Sequence, residues 1–162
     1  MVARVMEMWR RSRLYRMLRL GGYVAFDLPR TVTALGDLLL LGIVATHVYI
    51  LSKETALPRY FVIYAAVLIA GCLLAAGATW LSLNPLVPRL AWLLGSMVSL
   101  IFLGVYLASR MASLPGLAAV TGRWDFAPGT FALAFAAGFI GVHMSVLLGI
   151  NVAYPQRQNW TD

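Results

Sequence analysis

The chain has 162 residues, of which 61% are hydrophobic and 12% charged, and a net charge of +7. A soluble domain carries about 25% charged residues, so this composition excludes a globule with a water-facing surface and points to an integral membrane protein. The lone cysteine, Cys72, excludes an internal disulfide.

Taken in chain order, residues 1–30 come first and hold seven of the thirteen Lys and Arg. Arg10, Arg11, Arg13, Arg16 and Arg19 crowd into residues 8–20. At 100° per residue they spread around a helical wheel rather than along one face. The segment therefore reads as a basic cytoplasmic helix, broken at Gly21 and Gly22, whose arginines meet anionic lipid headgroups or dock on a partner. The apolar run that follows is too long for the core of a cleaved signal peptide. No nucleic-acid-binding motif accompanies the arginines, so nucleic acid is not expected as a partner.

About 20 apolar residues cross the roughly 30 Å of bilayer hydrocarbon. Four segments qualify: 31–52, 59–81, 89–111 and 129–153, together a transmembrane domain over 31–153 with a cytoplasmic tail at 154–162. They lack strand alternation, and a helix satisfies every backbone group internally, as lipid requires. All seven prolines (Pro29, Pro58, Pro85, Pro88, Pro115, Pro128 and Pro155) fall outside these spans, where a missing amide donor costs least. Short connections make consecutive helices antiparallel neighbours. The expected fold is an all-α membrane protein, an antiparallel four-helix bundle. The positive-inside rule places both termini in the cytoplasm, with nine Lys and Arg inside against four outside (Lys53, Arg59, Arg110 and Arg123). Trp80 and Trp92 would then form an inner aromatic belt, and Tyr49, Tyr60, Tyr106 and Trp124 an outer one, with Arg110 snorkelling outward.

Ionisable groups within spans are functional candidates by default. Asp37 lies near the inner end of the first span, His47 near its outer end and His143 in the fourth. Two histidines on different helices suggest a bis-histidine haem, but their expected depths differ by about 13 Å, too far for one iron. Copper through His47, His143, Met97 or Met144 has no supporting ligand spacing. No cofactor or metal is expected. The sequence offers no Ser-His-Asp arrangement, paired carboxylates, phosphate loop or HExxH, so no catalytic activity is expected either. A transporter would want a broken helix or a mid-membrane carboxylate, and neither occurs.

Small residues recur at every fourth position. Ala137, Gly141, Ser145 and Gly149 form such a stripe in the fourth span, and Gly71 and Ala75 a pair in the second. Such stripes let helix backbones approach closely, either within the bundle or against another subunit. Trp124, between Arg123 and Asp125 in the longest connection, is a candidate docking residue.

Tyr106, Ser109 and Arg110, then Leu114, Pro115 and Gly116, then Trp124 carry a resemblance. The pattern Tyr-x-x-Ser-Arg, Leu-Pro-Gly, Trp resembles one in uncharacterised bacterial four-helix integral membrane proteins. Ser113 stands where those proteins usually have glycine. The resemblance covers the second half of the chain best and implies the fold without supplying an activity. The resulting expectation is a non-catalytic accessory or assembly subunit of a larger complex in the bacterial cytoplasmic membrane, of the respiratory or photosynthetic electron-transfer kind, with other membrane subunits and anionic lipids as partners. The rival expectations are a small homo-oligomeric transporter and a haem- or metal-binding membrane protein.

Overall fold

The structure, a computed structural model, describes residues 29–54, 57–81, 86–116 and 121–153. The arginines from Arg10 to Arg19 and the tail at 154–162 lie outside the described residues. Four helices follow in order: α1 (Pro29–Lys53), α2 (Arg59–Thr79), α3 (Leu86–Met111) and α4 (Ala127–Leu147). They pack as an antiparallel bundle in which each helix lies against its two ring neighbours, and the α1–α4 seam, which closes the ring, is the most extensive. All four are long and apolar enough to cross a membrane. The 21 residues of α2 or α4 rise about 31 Å, close to the hydrocarbon thickness. The chain is a multi-pass membrane protein by the length and composition of these helices.

The prolines mark the helix starts. Pro29 opens α1, Pro88 sits in the first turn of α3 and Pro128 is the second residue of α4, all positions where no intrahelical amide bond is lost. Pro58 precedes α2 with extended backbone, and its carbonyl receives the amides of Phe61 and Val62 at 3.0 and 3.2 Å. Because a first turn tolerates proline, α3 begins at Leu86, three residues before the boundary the sequence suggests. The fourth helix stops early, at Leu147 rather than Ala153. Gly149 takes φ 72°, its amide bonds to Val146 O (3.0 Å), and the Ile150 amide bonds to Ser145 O (2.9 Å). This is a Schellman stop, which needs a residue tolerant of the left-handed region.

The core is built from small residues on one helix facing large ones on the next. Ala65, Cys72 and Ala75 of α2 and Ala132 and Ala136 of α4 are fully buried. Gly36 receives the Trp92 ring so closely that a Cβ there would lie 2.6 Å from it. Gly95 receives Phe139 at the same separation. Leu40 and Ile43 of α1, Phe102 of α3 and Phe139 of α4 fill the middle. Close packing of this kind holds helices together where lipid offers no hydrophobic contrast.

Two residues assigned to the aromatic belts depart from them. Trp92 and Tyr106 are 4% and 5% exposed. Gly36 opens the space that lets Trp92 stack on Phe139 (5.2 Å between centroids, 18° between planes). Trp80, Tyr49, Tyr60 and Trp124 are exposed, as belt residues should be.

Candidate functional site

The bundle has a terminal end, where α1 begins and α4 ends, and a loop end, where residues 54–58 and 112–126 connect the helices. Apart from Ser99, midway along α3, buried polar side chains gather toward each end, with the apolar layer of Leu40, Ile43, Cys72 and Phe139 between.

Toward the terminal end, Asp37 joins α1 to α2. Its carboxylate accepts the Thr79 hydroxyl at 3.1 Å and the Trp80 indole N–H. The single Thr79 proton is shared with the Ala76 carbonyl oxygen at 2.7 Å. On the other side of the ring, Ser96 of α3 bonds His143 Nδ1 of α4 at 2.5 Å. His143 also lies 5.5 Å from the Trp92 ring and 6.5 Å from Phe139. These groups tie neighbouring helices to one another, as side-chain hydrogen bonds do in lipid.

Toward the loop end the arrangement is different. His47 Nδ1 lies 2.8 Å from the Ile43 carbonyl oxygen, which only accepts, so Nδ1 carries the proton. Nε2 is left as the acceptor. The His47 ring meets Phe102 edge-on at 5.3 Å and Tyr64 at 6.3 Å. The Tyr64 hydroxyl is buried without a hydrogen-bond partner. The two histidines share no aromatic or hydrogen-bonding neighbour. Their α3 contacts, Phe102 and Ser96, are six residues apart, about 9 Å along the helix. They do not converge on one iron, and no group of three or more His, Cys, Asp or Glu able to hold a metal occurs among the described residues.

Arg110 is the main departure from expectation. It does not snorkel outward: it is 5% exposed. Its guanidinium lies 4.8 Å from the Tyr106 ring centre and 5.7 Å from that of Phe126, a cation–π geometry. Gly129 of α4 makes the room. A Cβ at 129 would fall 2.9 Å from Arg110 Nη2 and 3.0 Å from Tyr106 Cε2.

Around these groups lies a half-open cavity of about 430 Å³, within the range of small-molecule sites. His47, Tyr64, Phe102, Tyr106 and Arg110 line it from three helices, with Phe61, Phe126 and Gly129 completing the wall. Glu54, Gly116 and Arg123 stand at the loop side. Arg123 pairs with Asp125 at 3.6 Å, both well exposed. The loop is fastened beside the cavity. Tyr60 donates to the Pro115 carbonyl oxygen at 2.6 Å, the Gly122 amide donates to Arg110 O at 3.0 Å, and Gly116, at φ 77°, packs on Pro58.

The residues singled out from sequence sort into three groups. Gly71 lies in the α2–α3 seam, where a Cβ would lie 2.9 Å from Val98, and Ala75 is fully buried in the core. Ala137 and Gly141 face outward, and a Cβ on Gly141 would meet nothing within 4 Å. Ser145 and Gly149 do not continue that face as a helical stripe. They build the α4 stop, with Asn151 Nδ2 donating to Ser145 Oγ at 2.8 Å. Trp124 is 54% exposed and touches Tyr106 edge-on at 6.3 Å, so it stands beside the cavity. The cavity residues Tyr64 and Phe102 escaped the sequence reading, which placed Tyr106 in the outer aromatic belt rather than in a cavity wall. One signal pointed to part of the set: Ser99, Phe102, Tyr106 and Arg110 recur at spacings of three and four, the mark of one helix face.

Fold and cavity together define a four-helix multi-pass membrane protein with a half-open cavity at one end, walled by aromatic side chains and a few polar ones. Comparison with protein-family models, with curated proteins and with solved structures finds no match to this chain.

Proposed function

We propose that this protein is a non-catalytic binding subunit of the bacterial cytoplasmic membrane, and that it holds an amphipathic small molecule in the loop-end cavity as an accessory member of a larger complex. The observation that carries this reading is the cavity: apolar and aromatic walls enclose a few polar groups, Arg110, Tyr64 and His47, the usual make-up of a small-molecule site. A complex of respiratory or photosynthetic electron transfer suits such a subunit, since its substrates include amphipathic molecules dissolved in the membrane. The outward face of α4 supports an association. Ala137 and Gly141 leave it flat, and the bundle's own packing does not use the space above Gly141. Cytoplasmic termini follow from the arginines of residues 1–30.

The test is purification of the tagged chain from native membranes in mild detergent, followed by mass spectrometry of proteins and of extracted small molecules. Wild-type protein is expected to bring down membrane subunits in stoichiometric amount together with a bound amphiphile. Gly141→Leu, whose side chain projects outward and meets nothing of the bundle at its Cβ, is expected to keep the amphiphile and lose the subunits. A small oligomer that elutes alone and empty overturns the reading and favours a transporter. Visible haem absorbance in that isolated chain would favour the haem-binding alternative.

A further inference from the structure

The cavity leaves the arginines of the N-terminal segment without a role. Residues 1–30 hold seven of them against Glu7 and Asp27, and the bundle continues the bias. Arg30 is the second residue of α1 and Arg89 the fourth of α3, and both are exposed. Two more cations thus stand at the terminal end, on two different helices. Trp80 follows the last residue of α2 at the same end and is 43% exposed, as suits a ring at headgroup level. The carboxylate of Asp37 does not offset these cations closely. It lies seven residues beyond Arg30, about 10 Å along the helix, and is already engaged by Thr79 and Trp80.

Helix length sets the level of these charges. α1 has 25 residues and α3 has 26, rising about 37 and 39 Å, more than the roughly 30 Å of hydrocarbon. Their first turns therefore reach the layer of lipid phosphates. An exposed arginine there lays its stem along acyl chains and its head against phosphate. The loop end differs. It exposes Lys53, Arg59 and Arg123 but also Glu54 and Asp125, so its charges nearly cancel.

The pattern of the N-terminal arginines favours lipid over a protein partner. From Arg10 to Arg19 they alternate with Leu14, Tyr15, Met17 and Leu18 and gather on no single helical face. A protein surface would select one side. An anionic leaflet attracts a juxtamembrane basic segment through net charge and proximity alone.

We propose that the terminal end of the bundle, with the segment that leads into it, is a binding surface for anionic phospholipid headgroups, formed by the five arginines of residues 10–19 together with Arg30 and Arg89. This surface is separate from the cavity and makes lipid, rather than a subunit, the partner of the arginines.

The test reconstitutes the purified full chain in phosphatidylcholine vesicles with a trace of spin-labelled phosphatidylglycerol or phosphatidylcholine in both leaflets. Electron spin resonance reads the fraction of each label immobilised by the protein, whichever way the chain inserts. Phosphatidylglycerol should be favoured at least about threefold at about 20 mM salt, since each basic side chain near the surface adds attraction. The preference should fall toward unity at about 0.5 M salt, which screens exposed charges. Changing Arg10, Arg11, Arg13, Arg16 and Arg19 together to Gln should remove most of it, and changing them to Lys should preserve it. Arg30→Gln with Arg89→Gln, two exposed positions that the packing of the bundle does not use, should remove a smaller part. Lys53→Gln with Arg59→Gln, at the loop end, should remove less still. Equal immobilisation of the two lipids overturns the proposal. So does a preference that survives high salt, or one that the loop-end pair reduces more than Arg30 and Arg89 do. If the fivefold change to Gln keeps the lipid preference but loses the subunits that co-purify from native membranes, the arginines dock on protein and the proposal falls.

Discussion

The two ends of the bundle use buried polar side chains in opposite ways. At the terminal end Asp37 holds Thr79 and Trp80, and His143 holds Ser96, so these groups serve as fasteners between helices. At the loop end His47 is tied only to its own helix, the Tyr64 hydroxyl has no protein partner, and Arg110 is folded over aromatic rings beside an open volume. Histidine occurs at both ends, and it bonds to another helix at His143 but only to its own helix at His47. Residue type inside a membrane does not by itself mark a functional site; what matters is whether the neighbouring helices already satisfy the group.

Substitutions that act on one end and spare the other would sharpen this contrast or break it. The largest effect is expected from Phe139→Ala. Phe139 is fully buried, stacks on Trp92 and fills the space over Gly95, so its loss should cost about 3–5 kcal/mol in reversible unfolding. Next is Asp37→Ala, which removes the hydrogen bonds that tie α1 to the end of α2. It should cost about 2 kcal/mol while leaving retention of the co-purifying amphiphile unchanged. A large loss of affinity from this change would show that the two ends are not independent. Gly129→Ala should do the reverse: by crowding Arg110 Nη2 and Tyr106 in the cavity wall it should reduce the co-purifying amphiphile, with a stability change of about 1–3 kcal/mol. The smallest effect is expected from Tyr64→Phe. Because its hydroxyl has no partner in the protein, stability in the absence of ligand should change by less than about 0.5 kcal/mol or rise slightly. A loss above 2 kcal/mol would mean that this hydroxyl is a fastener like those of the other end.

The helices were legible because span length and proline position are local properties. The departures come from contacts between elements distant in sequence. Residues 148–153 look apolar enough to continue a span, but Gly149 adopts the left-handed conformation and Ser145 supplies the carbonyl and hydroxyl that end α4. Arg110 at a helix end reads as a snorkelling cation. It turns inward because Gly129, 19 residues later, leaves space and Tyr106 supplies a ring face. Trp92 reads as a belt residue until Gly36 of another helix opens a slot for it. The cavity was the least legible feature, since α1, α2, α3, the start of α4 and two connections all contribute to its wall. No single stretch of sequence carries its signature.

The ring of helices also fixes an order of events during biosynthesis. Each of the other three seams joins consecutive helices, whereas the α1–α4 seam joins residues about a hundred positions apart. That seam cannot form until the last helix has entered the bilayer, and contacts of such sequence separation are slow to make. Phe126 and Gly129, which complete the chamber wall and seat Arg110, arrive with that helix. A chain released before α4 is made therefore has three apolar helices and no closed cavity wall, so the cavity itself is a mark of completed insertion.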